Sequence, residues 1–191
     1  MLVDQTIREI LASFSAPDPT PGGGSASALA SAVGVSLLMM VAGLAKTRNG
    51  SDDDRAALAG ASAALAAIRD ELTAAIDADA AAYDGVVSAY KLPKATPDEQ
   101  QARKVAIQRA LRAATEVPLS VMRLSASALE QATAVGAYGN PSAASDVGVA
   151  IALLHAGLHG AQLNVEANLG GLNDQDVVEQ IRGELKRYSG K

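Results

Sequence analysis

Residues 22–45 read GGGSASALASAVGVSLLMMVAGLA, an unbroken stretch without a single charged side chain. A run this long reaches the length at which a membrane-spanning helix has to be weighed. Its content points elsewhere. Ser, Gly and Ala contribute as much as Leu, Val and Met, and no aromatic belt flanks it. A helix that is apolar on every side belongs at the centre of a bundle, buried all round. The run opens on three glycines directly after Pro21. Backbone N–H groups at such a helix start attract anions, carboxylate or phosphate. No Lys-Ser/Thr pair follows, which excludes a Walker loop, and no strand precedes it, which excludes a dinucleotide fingerprint.

Outward from this run the chain keeps reading as helix. Upstream, a short amphipathic helix is expected over about Asp4–Ser13, then a turn carrying Pro17, Pro19 and Pro21. Downstream, the uncharged helix extends to about Lys46 and Asn49-Gly50 breaks it. Ser51 reads as an N-cap with Asp54 three residues on, and the next breaker is Leu92-Pro93. Thr96-Pro97-Asp98-Glu99 is a second start signal. Its helix meets Pro118, where a kink is expected, and ends near Gly139. Asn140-Pro141 opens another, which stops at Gly170-Gly171. Asn173 is expected to cap a last helix through Leu185, with Val177, Ile181 and Leu185 on one stripe. No strand periodicity and no internal repeat appears. The expectation is all-α, a bundle of about six or seven helices with short loops, forming one domain over residues 1–191.

Composition narrows the function. Of 191 residues 49% are apolar but only 3% aromatic, so the core must be built from Ala, Leu and Val. There is no Cys, which excludes disulfides, thiolate metal sites and Cys nucleophiles. Sixteen basic against 21 acidic residues give a net charge of −5, unsuited to nucleic acid or an anionic membrane. The first residues, MLVDQTIREILASF, lack a secretory pattern, so a cytoplasmic protein is expected. The absence of G-x-S-x-G disfavours a serine hydrolase.

Two helices break their own pattern. Leu58, Leu65 and Leu72 recur at heptad spacing, and the next step lands on Asp79 rather than an apolar residue. A carboxylate there must be paired, hydrogen-bonded or protonated, and is either a functional group or a structural partner. Asp77 and Asp84 fall off the stripe and read as solvated. In the helix after Asn140, Asp146 and Asn164 lie five turns apart on one face, with Asn168 a turn further. Ala150, Leu153, Gly157 and Gly160 or Ala161 lie between them. Two interior glycines cost roughly 1 kcal/mol each against Ala, so either another helix or a flat ligand approaches closely. His155 and His159 form an i, i+4 pair, but no Glu follows His155. A surface or interface pair is the expectation, with no metal.

Taken together, PTPGGGSASALASAVG (19–34), DADAAAYDGVVSAYKLP (77–93), ATEVPL (114–119), GNPSAASDVGVA (139–150) and GAQLNVEANL (160–169) resemble the cyclodeaminase/cyclohydrolase family. That unit occurs as the C-terminal domain of formiminotransferase-cyclodeaminase and as stand-alone bacterial enzymes. The resemblance implies an all-helical homodimer acting on a tetrahydrofolate derivative without further cofactor. The reaction would be closure of 5-formimino-tetrahydrofolate to the 5,10-methenyl form with loss of ammonia, or hydrolysis of the methenyl form to 10-formyl-tetrahydrofolate. The family pattern falls on Gly22, Gly23, Gly24, Ser25, Asp79, Asn140, Ser145, Asp146, Asn164 and Asn168. On this reading Asp146 is the acid/base, and Asp79 is a second carboxylate that steadies the methenyl cation or holds the pterin ring. Asn164 and Asn168 bind substrate, and the Gly22–Gly24 amides with Lys46 or Arg48 take its carboxylate. Relatives carry a Lys-rich turn where this chain has only those two bases. The alternatives are a non-catalytic folate- or metabolite-binding helical dimer and a membrane-associated helical protein.

Overall fold

A computed structural model describes residues 1–188. A 3-10 turn at Leu2–Asp4 precedes six α-helices: α1 (Ile7–Ser15), α2 (Gly23–Ala42), α3 (Asp52–Tyr90), α4 (Pro97–Tyr138), α5 (Ala144–Leu169) and α6 (Gln175–Tyr188). A second 3-10 turn, Pro141–Ala143, leads into α5, and no strand occurs among the described residues.

Helix starts appear where capping chemistry is local. The Ser51 hydroxyl accepts from Asp54 N–H, and Thr96 with Glu99 completes a reciprocal capping box. Three ends differ from expectation. Thr6 and Glu9 form their own box, so α1 begins at Ile7 rather than Asp4. Gly43 ends α2 short of Lys46. Asp174 rather than Asn173 caps α6, its Oδ1 accepting from Val177 N–H at 3.3 Å. Pro118 is buried inside α4, which continues through it.

The seam between α2 and α5 organises the rest. The helices run antiparallel, with Gly23 against Asn164, Ser27 against Gly160 and Gly34 against Leu153. Backbone approaches backbone here. A Cβ on Gly34 would lie 2.8 Å from Ala150 O, and one on Gly157 would lie 2.7 Å from Ser27 O and overlap Ser31 Oγ. Ser31 Oγ is itself held by Ser125 Oγ at 2.7 Å in the core. The interior glycines of α5 therefore admit a helix, and the middle of the Asp146–Asn164 face is closed by α2. On α3, Leu58, Leu65 and Leu72 are buried as their spacing requires.

The expectation that α2 is buried all round does not hold within one chain. At 100° per residue, Leu29, Val33, Leu37 and Met40 of α2 share a side with Val149, Ala152, Ala156 and Leu163 of α5. The two helices are antiparallel, so these rows adjoin in one face of uncharged side chains, whose α2 edge at Leu29 and Val33 borders a hollow lined by Ile7 and Ile10 of α1 and Arg69 and Thr73 of α3. Val33, Met40, Val149 and Leu163 are 44–53% exposed there. By length and composition alone, Gly23–Ala42 and Pro141–Leu169 are apolar enough to cross a membrane.

The last helix is fastened by charge. Arg123 on α4 donates to both carboxylate oxygens of Glu184 at 2.8 and 2.7 Å. That bond holds Glu184 below its ordinary carboxylate range. Val178, Ile181 and Leu185 complete the docking of α6 on the core.

Candidate active site

A cavity of about 340 Å³ lies at the N-terminal end of α2, where four helices converge. Gly23 and Gly24 line it from α2, Asp79, Tyr83 and Val86 from α3, Leu111 and Ala114 from α4, and Asn164 and Asn168 from α5. Pro19, Thr20 and Gly22 close it from the α1–α2 loop. Its size suits a small-molecule ligand.

Asp79 is the half-buried carboxylate that interrupts the leucine heptad. Ser25 N–H donates to its Oδ2 at 2.9 Å and Ser25 Oγ donates to the same atom at 3.2 Å. Ser25 Oγ also donates to Ile76 O at 2.8 Å, which fixes the first turn of α2 against α3. A Cβ at Gly24 would overlap the carboxylate itself, so only glycine lets the helix start come this near. Burial pushes the Asp79 carboxyl above its ordinary value, and the two Ser25 bonds oppose that without cancelling it. The result is a carboxyl tuned towards neutrality beside exposed amide donors, the property wanted in an acid/base group.

Two amides face it across the cavity. Asn164 Nδ2 donates to Gly160 O at 2.8 Å, which steers its head towards Gly23. Asn168 Nδ2 donates to Ala114 O at 2.9 Å, tying α5 to α4.

The remaining sequence candidates gather at the opposite end. Asp146 is half-buried in the first turn of α5, eighteen residues from Asn164 and so about 27 Å away along the axis. Ser145 and Lys46 are exposed, and Asn140 Oδ1 accepts from Ser142 N–H at 3.0 Å. Arg48 spends its guanidinium on the last turn of α4, with Nε donating to Ala137 O at 2.6 Å and Nη2 to Gly136 O at 2.9 Å. One chain thus brings Gly22, Gly23, Gly24, Ser25, Asp79, Asn164 and Asn168 together. It keeps Lys46, Arg48, Asn140, Ser145 and Asp146 apart from them.

Sequence reasoning passed over Tyr83, Leu111 and the cavity-lining side of Pro19 and Thr20. Tyr83 carried a signal: it stands one turn beyond Asp79 in a chain with only four Tyr and one Phe. Asp77 was expected to be solvated, but it is half-buried. Its Oδ1 accepts from Leu2 N–H and its Oδ2 is buried, because the N-terminal 3-10 turn packs on α3. Asp84 is exposed as expected, and so are His155 and His159. No cluster of three His, Cys, Asp or Glu side chains suited to a metal occurs among the described residues.

Comparison with known proteins matches this arrangement to a family. Residues 6–187 fit the family model described as formiminotransferase-cyclodeaminase. A methenyltetrahydrofolate cyclohydrolase from Methylorubrum extorquens is 38% identical over 97% of this chain and 89% of its own length. The formimidoyltransferase-cyclodeaminase of Rattus norvegicus is 33% identical over 95% of this chain, which spans only 34% of that longer protein. The crystal structure of formiminotetrahydrofolate cyclodeaminase from Thermotoga maritima superposes with a TM-score of 0.87 at 25% identity, covering all of this chain and 91% of the other. On the match of residues 6–187 and the two sequence relatives, the chain belongs to the formiminotransferase-cyclodeaminase family.

Proposed function

We propose that this chain is a folate one-carbon enzyme working at the carbon between N5 and N10 of tetrahydrofolate. The carrying observation is the Asp79 carboxyl, raised by burial and set against the glycine start of α2 in a cavity between four helices. In hydrolysis, water attacks the methenyl carbon and gives a proton to Asp79. The C–N5 bond then breaks as Asp79 returns that proton to N5 and the carbinol hydroxyl releases its remaining proton to solvent, leaving the 10-formyl form. In cyclodeamination, N10 attacks the formimino carbon, ammonia departs, and one carboxyl moves the proton from N10 to the leaving amine. The higher identity, reaching nearly end to end, belongs to a cyclohydrolase, which supports hydrolysis as the first reaction to assay. The acid/base role passes from Asp146 to Asp79 because only Asp79 lines this chain's cavity.

The uncharged α2–α5 face supports a homodimer. An isologous contact has its two-fold axis in the interface. With that axis crossing the helices near Val33, opposite ends of the two copies meet. Asp146, Ser145 and Asn140 of the partner subunit then lie at the Gly24–Asp79 end of the first, and the two halves of the family pattern form one site. Separate assays with 5-formimino- and 5,10-methenyl-tetrahydrofolate, following methenyl absorbance and ammonia, test the chemistry. Loss of methenyl absorbance without ammonia identifies the cyclohydrolase. Saturable binding with no turnover of either compound would establish the non-catalytic alternative.

The shared site has its own test. Asp79→Asn and Asp146→Asn dimers are each expected to be inactive. Mixed one to one after dissociation and reassociation, they should recover about a quarter of wild-type activity, since half the dimers are hybrids with one intact site of two. No recovery from a mixture shown to contain hybrids would place both acids on one subunit's site or remove Asp146 from it.

A further inference from the structure

The hairpin of α3 and α4 extends well beyond the cavity. With 39 and 42 residues these helices measure about 58 and 63 Å, against about 30 Å for the 20 residues of α2. Asp79 lies level with the first turn of α2, so the eleven residues to Tyr90 carry α3 roughly 16 Å further. Along that overhang the cavity walls continue. On α3, Asp79, Tyr83, Val86 and Tyr90 follow one another at steps of four, three and four on one face, and the first three line the cavity. On α4, Ala114 and Leu111 line it, and the same face continues through Ile107 to Lys104, two turns beyond Leu111.

Charge changes sign along this path. Residues 91–112 hold Lys91, Lys94, Arg103, Lys104, Arg109 and Arg112 against Asp98 and Glu99, in a chain whose net charge is −5. Glu99 is occupied by the backbone N–H groups of Ala95 and Thr96. Arg103 is anchored rather than free-swinging. Its Nη2 donates to Tyr90 O at 2.9 Å, and its guanidinium carbon lies 5.5 Å from the centre of the Tyr90 ring. Lys104 is exposed beside it on the cavity-facing side.

We propose that this overhang holds the anionic end of the substrate, with Lys104 and Arg103 meeting the glutamate carboxylates and Tyr83 flanking the aminobenzoyl ring. The inference rests on the folate reading. A folate joins a near-neutral pterin head to a carboxylate-bearing glutamate through a rigid aromatic spacer. With the reacting carbon at Asp79, the tail must leave the cavity, and the hairpin offers an aromatic wall followed by cations. The turn expected to take the carboxylate, Lys46 to Arg48, lies at the far end of α2 in the same chain; in the proposed dimer that end comes from the partner with Arg48 already engaged by α4, which leaves Lys46 as the rival cation.

The test compares 5,10-methenyl-tetrahydrofolate with 5,10-methenyl-tetrahydropteroate, which lacks the glutamate, on the wild-type enzyme and on Lys104→Glu and Lys46→Glu. Lys104→Glu should raise KM for the folate roughly three- to tenfold, the scale of a partly exposed charge contact, with kcat unmoved. It should leave KM for the pteroate unchanged. An unchanged folate KM, an equal rise for both compounds, or a glutamate-selective rise in Lys46→Glu instead would each overturn the proposal. Where the wild-type enzyme turns over only the 5-formimino form, the same comparison is made with the formimino compounds; absence of turnover of both forms would overturn the folate reading, and this one with it.

Discussion

Asp79→Asn is expected to lower turnover by at least about 10²-fold, the usual scale of acid/base catalysis, while the protein folds as stably as before or more so at neutral pH. The two effects share one origin. Burial raises the folded carboxyl above its ordinary 3.8, so between that value and the raised one the native state keeps a proton the unfolded chain has lost. Native stability therefore declines as pH rises through that window, and a neutral amide escapes the decline. The Asn oxygen still accepts from Ser25 N–H. Activity runs the other way. If Asp79 acts first as a base, the wild-type rate falls as pH drops through the raised value, and the residual rate of the variant lacks that limb. Thermal denaturation at acid and neutral pH, with kcat/KM profiles of both proteins, reads all of this. Near-normal turnover in the variant removes Asp79 from the chemistry.

The second large effect is on folding. Gly157→Val places branched carbons where Ser27 O and Ser31 Oγ already stand. Ser31 cannot swing aside without abandoning Ser125 inside the core, and Ser27 O belongs to a helix backbone. Overpacking of this kind costs about 1–3 kcal/mol and more when backbone must move. A chain of this length loses about 2–4 °C in Tm per kcal/mol, so a fall of roughly 5–10 °C or outright failure to fold is expected. Gly60→Ala serves as the control. Gly60 is exposed in α3 with nothing within 4 Å of an added Cβ. There the gain in helix propensity of about 1 kcal/mol should raise Tm slightly. A Gly157→Val protein as stable as the wild type would mean that the seam is looser than its glycines indicate.

What was legible in the sequence follows the reach of each physical rule. Capping is decided within four residues, so Ser51 and Thr96 announced their helices, while Asn173 and Asp174 compete side by side for one cap. Heptad spacing singled out Asp79 because an acid replaced Leu on a buried stripe. Helical periodicity also put Asp146 and Asn164 on one face, correctly. Their five-turn separation was equally plain, but a helical wheel does not say whether the two ends of a face share a cavity. It also could not show that α2 itself fills the space between them. Tyr83 and Leu111 were hidden for another reason. They are ordinary residues on ordinary helical faces until a bundle end leaves a hollow in front of them.

The tight seam has a bearing on how such a protein can diversify. One wall of the cavity is made of Gly23 and Gly24 set close against the side chains of Asn164 and Asp79, so mutation there has almost no latitude. The opposite wall is carried by two long helices whose outer turns extend past the start of α2. Novelty in ligand choice among descendants of this chain should accumulate on that outer wall, while the seam is inherited nearly unaltered.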